Sequence, residues 1–384
     1  MGVRVKGMLD APMTRETLAA LADAAAGIGG GHEAPQLPLA EGRRLASWLV
    51  ARDLAGPALA LFGDARREMA AALRPAALGA AAANLSLFRT LDRIERRFGD
   101  DAIPMVLLKG ASVADSAYAD RSLRAMTDLD IWVKERDMDR AAAALCALGF
   151  RQDAGLAHRP RALQRLSAGE CIFRPSPDRH GLVELHFGPI QGWWARRTAD
   201  VDADAMWCRA ERMGPDRHAR RLAVEDAVIQ TAFHAIANQL GQAPLRCLLD
   251  LAVIARRHPV AWDAVAGRAI AWRLATATWL VLDTAHRIFG LPGANGALAR
   301  LRPSATRRAL LRAFVTPASV LGGRDLTRRS RRHPFLLALA DRGRDAAQLL
   351  ARTVWPEAWW IEARYGAGAG RAAHLWTLLR RGEV

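Results

Sequence analysis

The chain has 384 residues, 51% hydrophobic and 24% charged, the balance of an ordinary soluble globular protein with length for two or three compact units. Its net charge of +16 favours an anionic ligand over a cationic one, but only three lysines are present (Lys6, Lys109, Lys134) and arginine is spread over an alanine-rich chain. This is a compositional bias rather than a nucleic-acid-binding stripe, and no sequence-specific DNA-binding motif is visible. Four scattered cysteines without a CxxC pair argue against a disulfide framework or a zinc site. No apolar run approaches the ~20 residues of a membrane span, and the first residues lack an apolar signal core, so a cytoplasmic location is expected.

Residues 13–98 read as helices almost throughout, opening on a Thr14-x-x-Thr17 start signal, breaking at Gly56–Pro57 and ending on Gly99. At Ile103 the texture changes. "IPMVLL" is a short apolar run ending in "KGAS", which predicts a buried strand and then a turn. A helix over 111–119, a polar loop over 120–128 and a second strand over 129–133 follow. "ERDMDRAAAALCALGF" (135–150) predicts a helix ending at Gly149, and two strand-like runs come next, "ECIFRPS" (170–176) and "GLVELHFG" (181–188), separated by the turn-like "PDRH". Beyond about residue 220 the chain is helical again, and the basic run "RDLTRRSRRHP" (324–334) reads as a solvated loop. The expected organisation is α+β: an N-terminal helical region (1–99), a small mixed-sheet core (100–190) and a larger C-terminal helical region (191–384).

Within the core, "TDLDIWV" places Asp128 and Asp130 on one face of a strand, with Leu129, Ile131 and Val133 on the other. Two like charges so close repel, and burying either without a partner is costly, so a positive group is expected between them. In "GLVELHFG" the alternation again sets Glu184 and His186 against Val183, Leu185 and Phe187. Three carboxylates of this kind suit metal-dependent phosphoryl or nucleotidyl transfer, in which two metal ions stabilise the attacking and leaving oxygens. A solvent-facing Glu184 on a half-exposed strand is the plain alternative. Lys109–Gly110 after the first strand suits a phosphate, the glycine allowing close backbone approach and the lysine neutralising charge. Arg124, four residues before Asp128, reaches toward the same anion.

The order strand, "LLKGAS", helix, "LRAMTDLDIWV", helix, "GF", strand, "VELHFG" resembles the nucleotidyltransferase superfamily of DNA polymerase β type. Within it, the chain most resembles a branch of uncharacterised bacterial nucleotidyltransferases. The core of that branch reads Leu-Lys-Gly, then Arg-x-x-x-Asp-x-Asp, then an acidic residue two before a histidine. The lead-in "NLSLFRTLDRIERRFGDDAIPMVLLKGA" and the later "LRCLLDLAVIAR" and "VWPEAWWIEARYG" resemble its flanks, so the resemblance covers roughly residues 40–370. It implies a polymerase β-like core, two magnesium ions and a nucleoside triphosphate. Asp128 and Asp130 would bind the metals, and Glu184 would be the third carboxylate and a candidate base for the incoming hydroxyl. Lys109, Gly110 and Ser112 would lie near the triphosphate, with Arg124 in support. Two departures stand out: Gly110 is followed by Ala111 instead of the usual Ser or Gly, and the gap from Gly110 to Asp128 is long.

Three other readings are open. An Asp-x-Asp also marks metal-dependent glycosyltransferases, but there an apolar strand runs into the motif, whereas here the strand follows it. A non-catalytic, nucleotide-binding relative of the same fold is the second, and transfer of a terminal phosphate the third. His186 either orients a carboxylate, touches substrate or is simply satisfied at a junction. His234 and Asp250 occupy positions characteristic of the branch, with Asp250 four residues after Arg246 as in a helix-stabilising pair. The tryptophans of "WWARR" (193–197) and "WPEAWW" (355–360) read as packing anchors. The acceptor, whether small molecule, peptide, protein or RNA end, is not legible.

Overall fold

A computed structural model of the chain describes residues 14–28, 38–63, 66–153, 160–167, 169–175, 181–190, 192–237, 244–322 and 329–381. The turn expected at 177–180, His158 and the first half of the basic run at 324–334 lie outside these residues. Among the described residues, seven short strands form one mixed sheet. They are β1 (Val106–Leu108), β2 (Asp128–Trp132), β3 (Arg151–Gln152), β4 (Glu170–Arg174), β5 (Leu182–His186), β6 (Glu211–Arg212) and β7 (Arg220–Arg221). Their spatial order is β3-β4-β5-β2-β1-β7-β6. β2 is central. It runs antiparallel to β1, with Asp130 opposite Leu108, and parallel to β5, with Asp130 opposite Glu184. A parallel pair needs a crossover, and the helix Met138–Ala147 with the β3–β4 ribbon supplies it. β4 lies antiparallel to β5 and sets Glu170 opposite His186.

Side-chain alternation along β2 and β5 separates the two larger cores of the described residues. Leu129, Ile131, Val133, Val183 and Leu185 point to one face, where Leu87, Leu91 and Phe98 of the helix Arg67–Asp100 and Met138 and Leu145 of the crossover helix meet them. Val106, Leu108 and Trp132 point to the other face and enter a larger core. That core is built jointly from chain segments far apart in sequence, such as Leu21 and Phe62 from before the sheet and Phe233, Leu249 and Phe289 from after it. Trp132 meets Trp207 edge-on at 4.8 Å between ring centres. The face bearing Asp128, Asp130, Glu184 and His186 is therefore the one covered by helices from both ends of the chain. Strand pairing also runs past residue 190, because β7 adds to β1 in parallel and β6 closes on β7.

Local signals hold at several points and fail at others. Thr14 caps the helix Arg15–Ala26, its hydroxyl accepting the Thr17 N–H at 3.2 Å. Gly56–Pro57 is not a break: both sit in the first turn of the helix Ala55–Phe62, where a missing proline N–H costs nothing. The helix Arg67–Asp100 continues through Pro75. By length and composition this one helix among the described residues is long and apolar enough to cross a membrane. In the fold its first turns pack into the larger core through Met69 and Leu73, and its last turns into the smaller core through Ile94 and Phe98.

Candidate functional site

The site starts at the end of β1. Lys109 has φ +47°, a left-handed conformation that costs a non-glycine residue about 1 kcal/mol or more, and it turns the chain from β1 into the helix Lys109–Ser116. Because Leu108 stands opposite Asp130 and Asp130 opposite Glu184, this turn delivers the Lys109 ammonium onto the neighbouring strands. Lys109 Nζ lies 2.5 Å from Asp130 Oδ1 and 3.5 Å from Glu184 Oε2. The residue in the special backbone conformation is thus the lysine and not the glycine after it.

His186 completes the cluster. Its Nε2 lies 2.8 Å from Asp130 Oδ1 and 3.6 Å from Glu184 Oε2, and its Nδ1 lies 3.5 Å from Glu170 Oε2. With a carboxylate on each side, both ring nitrogens serve best as donors. Burial and the nearby Lys109 push the imidazole down, but the hydrogen bonds to Asp130 and Glu184 and the Asp130 charge prevail and raise it to about 9. Asp130 shows the mirror effect. Burial alone would raise it, yet the Lys109 ammonium and the His186 hydrogen bond hold it well below the usual carboxylate range. Against burial, Asp130, Glu184 and Glu170 hold Lys109 above its usual range.

Asp128 is different. It shares the face of Asp130 but makes no hydrogen bond or ion pair with any described residue. Burial, then the charges of Asp130 and Glu184, push its carboxyl up to about 6. Glu170, on the far side of His186, is likewise pushed up to about 7 by burial, although His186 pulls it down. Nothing in the sequence singled out Glu170, since its place opposite His186 follows from the β4–β5 register alone.

Arg124 and Gly110, both expected near the triphosphate, pack against each other in the structure. Arg124 is buried and donates to Asp250 through two bonds, Nε to Oδ1 at 2.9 Å and Nη2 to Oδ2 at 2.8 Å. Tyr118 donates to the same Asp250 Oδ1 at 2.8 Å, and Asn84 holds the loop by donating to the carbonyls of Arg121 and Arg124. A bidentate guanidinium sealed in this way is not free to clasp a phosphate. Asp250 accordingly does not pair with Arg246, which donates to Asp53 and to the Ala125 carbonyl. Gly110 packs on the Arg124 guanidinium, and a Cβ there would overlap it. The glycine makes room for the Arg124 side chain. Gly110→Ala is expected to lower stability by about 1–3 kcal/mol in denaturant titration, through overpacking against a buried ion pair.

Ser112 is buried in the first turn of the Lys109–Ser116 helix, where its carbonyl accepts the Ser116 hydroxyl. His234, on the helix Val224–Ala237, is partly buried within the field of Lys109 and Asp130, and desolvation pushes its imidazole well below the ordinary histidine range. The packing reading of the tryptophans holds for Trp194 and Trp360, which are buried, but not for Trp355 and Trp359, which are exposed.

Asp130, Glu184 and His186 offer donor atoms that all lie within 4.8 Å of one another, a spacing that fits one metal ion. The chemistry of the set narrows this. His186 is held between acids as a proton donor, so hard carboxylate oxygens are the better ligands, and the unpartnered Asp128 is the group most in want of a cation. The residues present therefore fit a divalent cation held by oxygen, with the Lys109 ammonium standing among the same carboxylates. Among curated proteins, none matches the chain. The family described as uncharacterised nucleotidyltransferase matches residues 44–290, a span that takes in every strand of the sheet and both Arg124 and Asp250. With well over half of its length matched, the chain belongs to the uncharacterised nucleotidyltransferase family.

Proposed function

We propose that the chain is a magnesium-dependent nucleotidyltransferase with a polymerase β-like core. It would move a nucleoside monophosphate from a nucleoside triphosphate to a hydroxyl of an acceptor, releasing pyrophosphate. One observation carries the reading: Asp128, Asp130 and Glu184 share one face of β2 and β5, with a cationic side chain lodged between Asp130 and Glu184. β2 begins at Asp128 and runs away from it, which also supports this reading over a glycosyltransferase.

The acceptor oxygen attacks the α-phosphorus, the α–β anhydride bond breaks, and pyrophosphate leaves with the bonding electrons. Two magnesium ions held by Asp128, Asp130 and Glu184 would supply charge neutralisation of the phosphates. Glu184, at the rim of the cluster, takes the hydroxyl proton. His186 keeps its proton and holds Asp130 in place, with Glu170 orienting the ring from behind. Lys109 exchanges carboxylate for phosphate oxygens as the triphosphate enters, so the buried acids are never left without a counter-charge. Arg124 and Asp250 act at one remove, bracing Gly110 and the loop that leads into Asp128. The helices after residue 190 form one wall of the acceptor cleft.

The test is incubation with each α-³²P-labelled nucleoside triphosphate and magnesium, with and without cell extract. Label should reach an acceptor with the wild-type chain, and Asp128→Ala or Glu184→Ala should cut transfer by about a thousandfold or more. Equal turnover by the wild type and an Asp128→Ala/Glu184→Ala double variant would refute the assignment.

A further inference from the structure

The charge of this chain is unevenly placed. Residues 301–384 hold 16 arginines and no lysine against six acidic residues, and they lie beyond residue 290, where the family match ends. The same segment exposes large apolar side chains. On the helix Gly343–Val354, Asp345, Leu349 and Thr353 face inward, while Leu350 (52% exposed) and Val354 (45%), one turn apart, form an outward ridge. Just after this helix in sequence, Trp355 (53%) and Trp359 (43%) are exposed as well, either side of Pro356 in the chain.

Cations border this ridge. The Arg371 guanidinium lies 4.6 Å from the centre of the Trp355 ring, which ties the start of the helix Arg371–Arg381 to the patch. Arg344 and Arg364 are exposed nearby in sequence. Acids offset some of this charge: Asp345 is buried and lies 3.7 Å from Arg344, Glu357 pairs with Arg197 at 3.0 Å and with Arg352 at 3.5 Å, and Glu362 is exposed, whereas Arg371 faces the Trp355 ring.

We propose that this C-terminal ridge docks on the surface of an anionic lipid bilayer. Tryptophan favours the boundary between headgroups and acyl chains, and arginine beside it meets the lipid phosphates. Single-stranded RNA uses the same arginine and tryptophan, but as flat stacking platforms. Here half of the ridge is aliphatic: Leu350 and Val354 offer nothing to a base and partition well into acyl chains. The docking is peripheral, through side chains on short helices, and is independent of the transfer reaction.

The full chain is mixed with phosphatidylcholine–phosphatidylglycerol vesicles, with pure phosphatidylcholine vesicles and with an oligouridylate. Binding is read by co-sedimentation and by the blue shift of tryptophan emission. The expected result is salt-sensitive binding to the anionic vesicles alone, weakened about tenfold or more by Trp355→Ser/Trp359→Ser and by Arg371→Glu. All these side chains are exposed, so circular dichroism and the melting temperature should not change. Three results overturn the proposal: no binding to anionic vesicles, equal binding to neutral ones, or anionic-vesicle binding indifferent to the tryptophan and arginine variants. Oligouridylate binding that these variants abolish, with no vesicle binding, would reassign the ridge to nucleic acid.

Discussion

Asp130→Asn and Asp128→Asn are expected to move the stability of the metal-free protein in opposite directions, although the two residues are neighbours on one strand face. Asp130 is buried between Lys109 and His186, and its folded-state value is depressed. Its contribution is therefore present above about pH 4, the unfolded value, and is lost only as pH falls toward the depressed one. Removing it leaves a buried ammonium and a buried imidazolium short of counter-charge, at a cost of about 3–5 kcal/mol. Asp128 has a folded-state value raised to about 6 by burial and by Asp130 and Glu184. The folded protein then holds the extra proton between about pH 4 and 6, and stability falls as pH rises through that window. Above it the ionised group costs up to about 2–3 kcal/mol, which asparagine removes. Denaturant titrations in a chelator at pH 5 and pH 8 decide the matter. At pH 8 Asp130→Asn should be less stable than the wild type and Asp128→Asn more stable, with the Asp128→Asn gain shrinking toward pH 5. Both variants should lose transfer. Destabilisation by both, or by neither, would mean that the cluster is not balanced as the distances indicate.

Lys109→Met is the second large effect. The methionine keeps the length and volume of the side chain but leaves Asp130 and Glu184 with His186 as the cation beside them, and removes the Lys109 charge that acts on Asp128. At neutral pH the metal-free variant should lose about 3–5 kcal/mol, the cost of stranding buried charge. A divalent cation should then restore more stability to the variant than it adds to the wild type, because it no longer competes with a tethered ammonium. Thermal melts across a magnesium or manganese series read this directly, without any substrate. If the melting temperature of Lys109→Met equals that of the wild type, or does not respond to metal, the cluster is not a cation cage.

The two acidic positions of β2 and the acidic position of β5 were legible in the sequence because a strand imposes a period of two. "DLDIWV" and "VELHF" each set apolar residues on one side and polar ones on the other. The structure places those apolar residues in the smaller core and the polar ones together across the β2–β5 register. The positive group expected between Asp128 and Asp130 lies instead between Asp130 and Glu184: it is Lys109, one of the three lysines of the chain. The sequence could nominate it but could not say that a left-handed turn carries its ammonium that far. What local pattern could not reach was every contact between distant segments. Arg124 and Asp250 are 126 residues apart, so neither their ion pair nor the packing of Gly110 on the guanidinium had a local signature.

By itself, then, the sequence determined the four longer strands, their polar faces and the residues with suitable chemistry, since these depend on neighbours within a few positions; the two-residue strands β3, β6 and β7 carry no such pattern. Tertiary structure decided which of those residues share a site. Strand register sets Glu170 opposite His186, and a buried ion pair ties Arg124 to Asp250. Asp128 and Asp130, alike in sequence, are pushed in opposite directions because only Asp130 is hydrogen-bonded to Lys109 and His186, whereas burial dominates at Asp128.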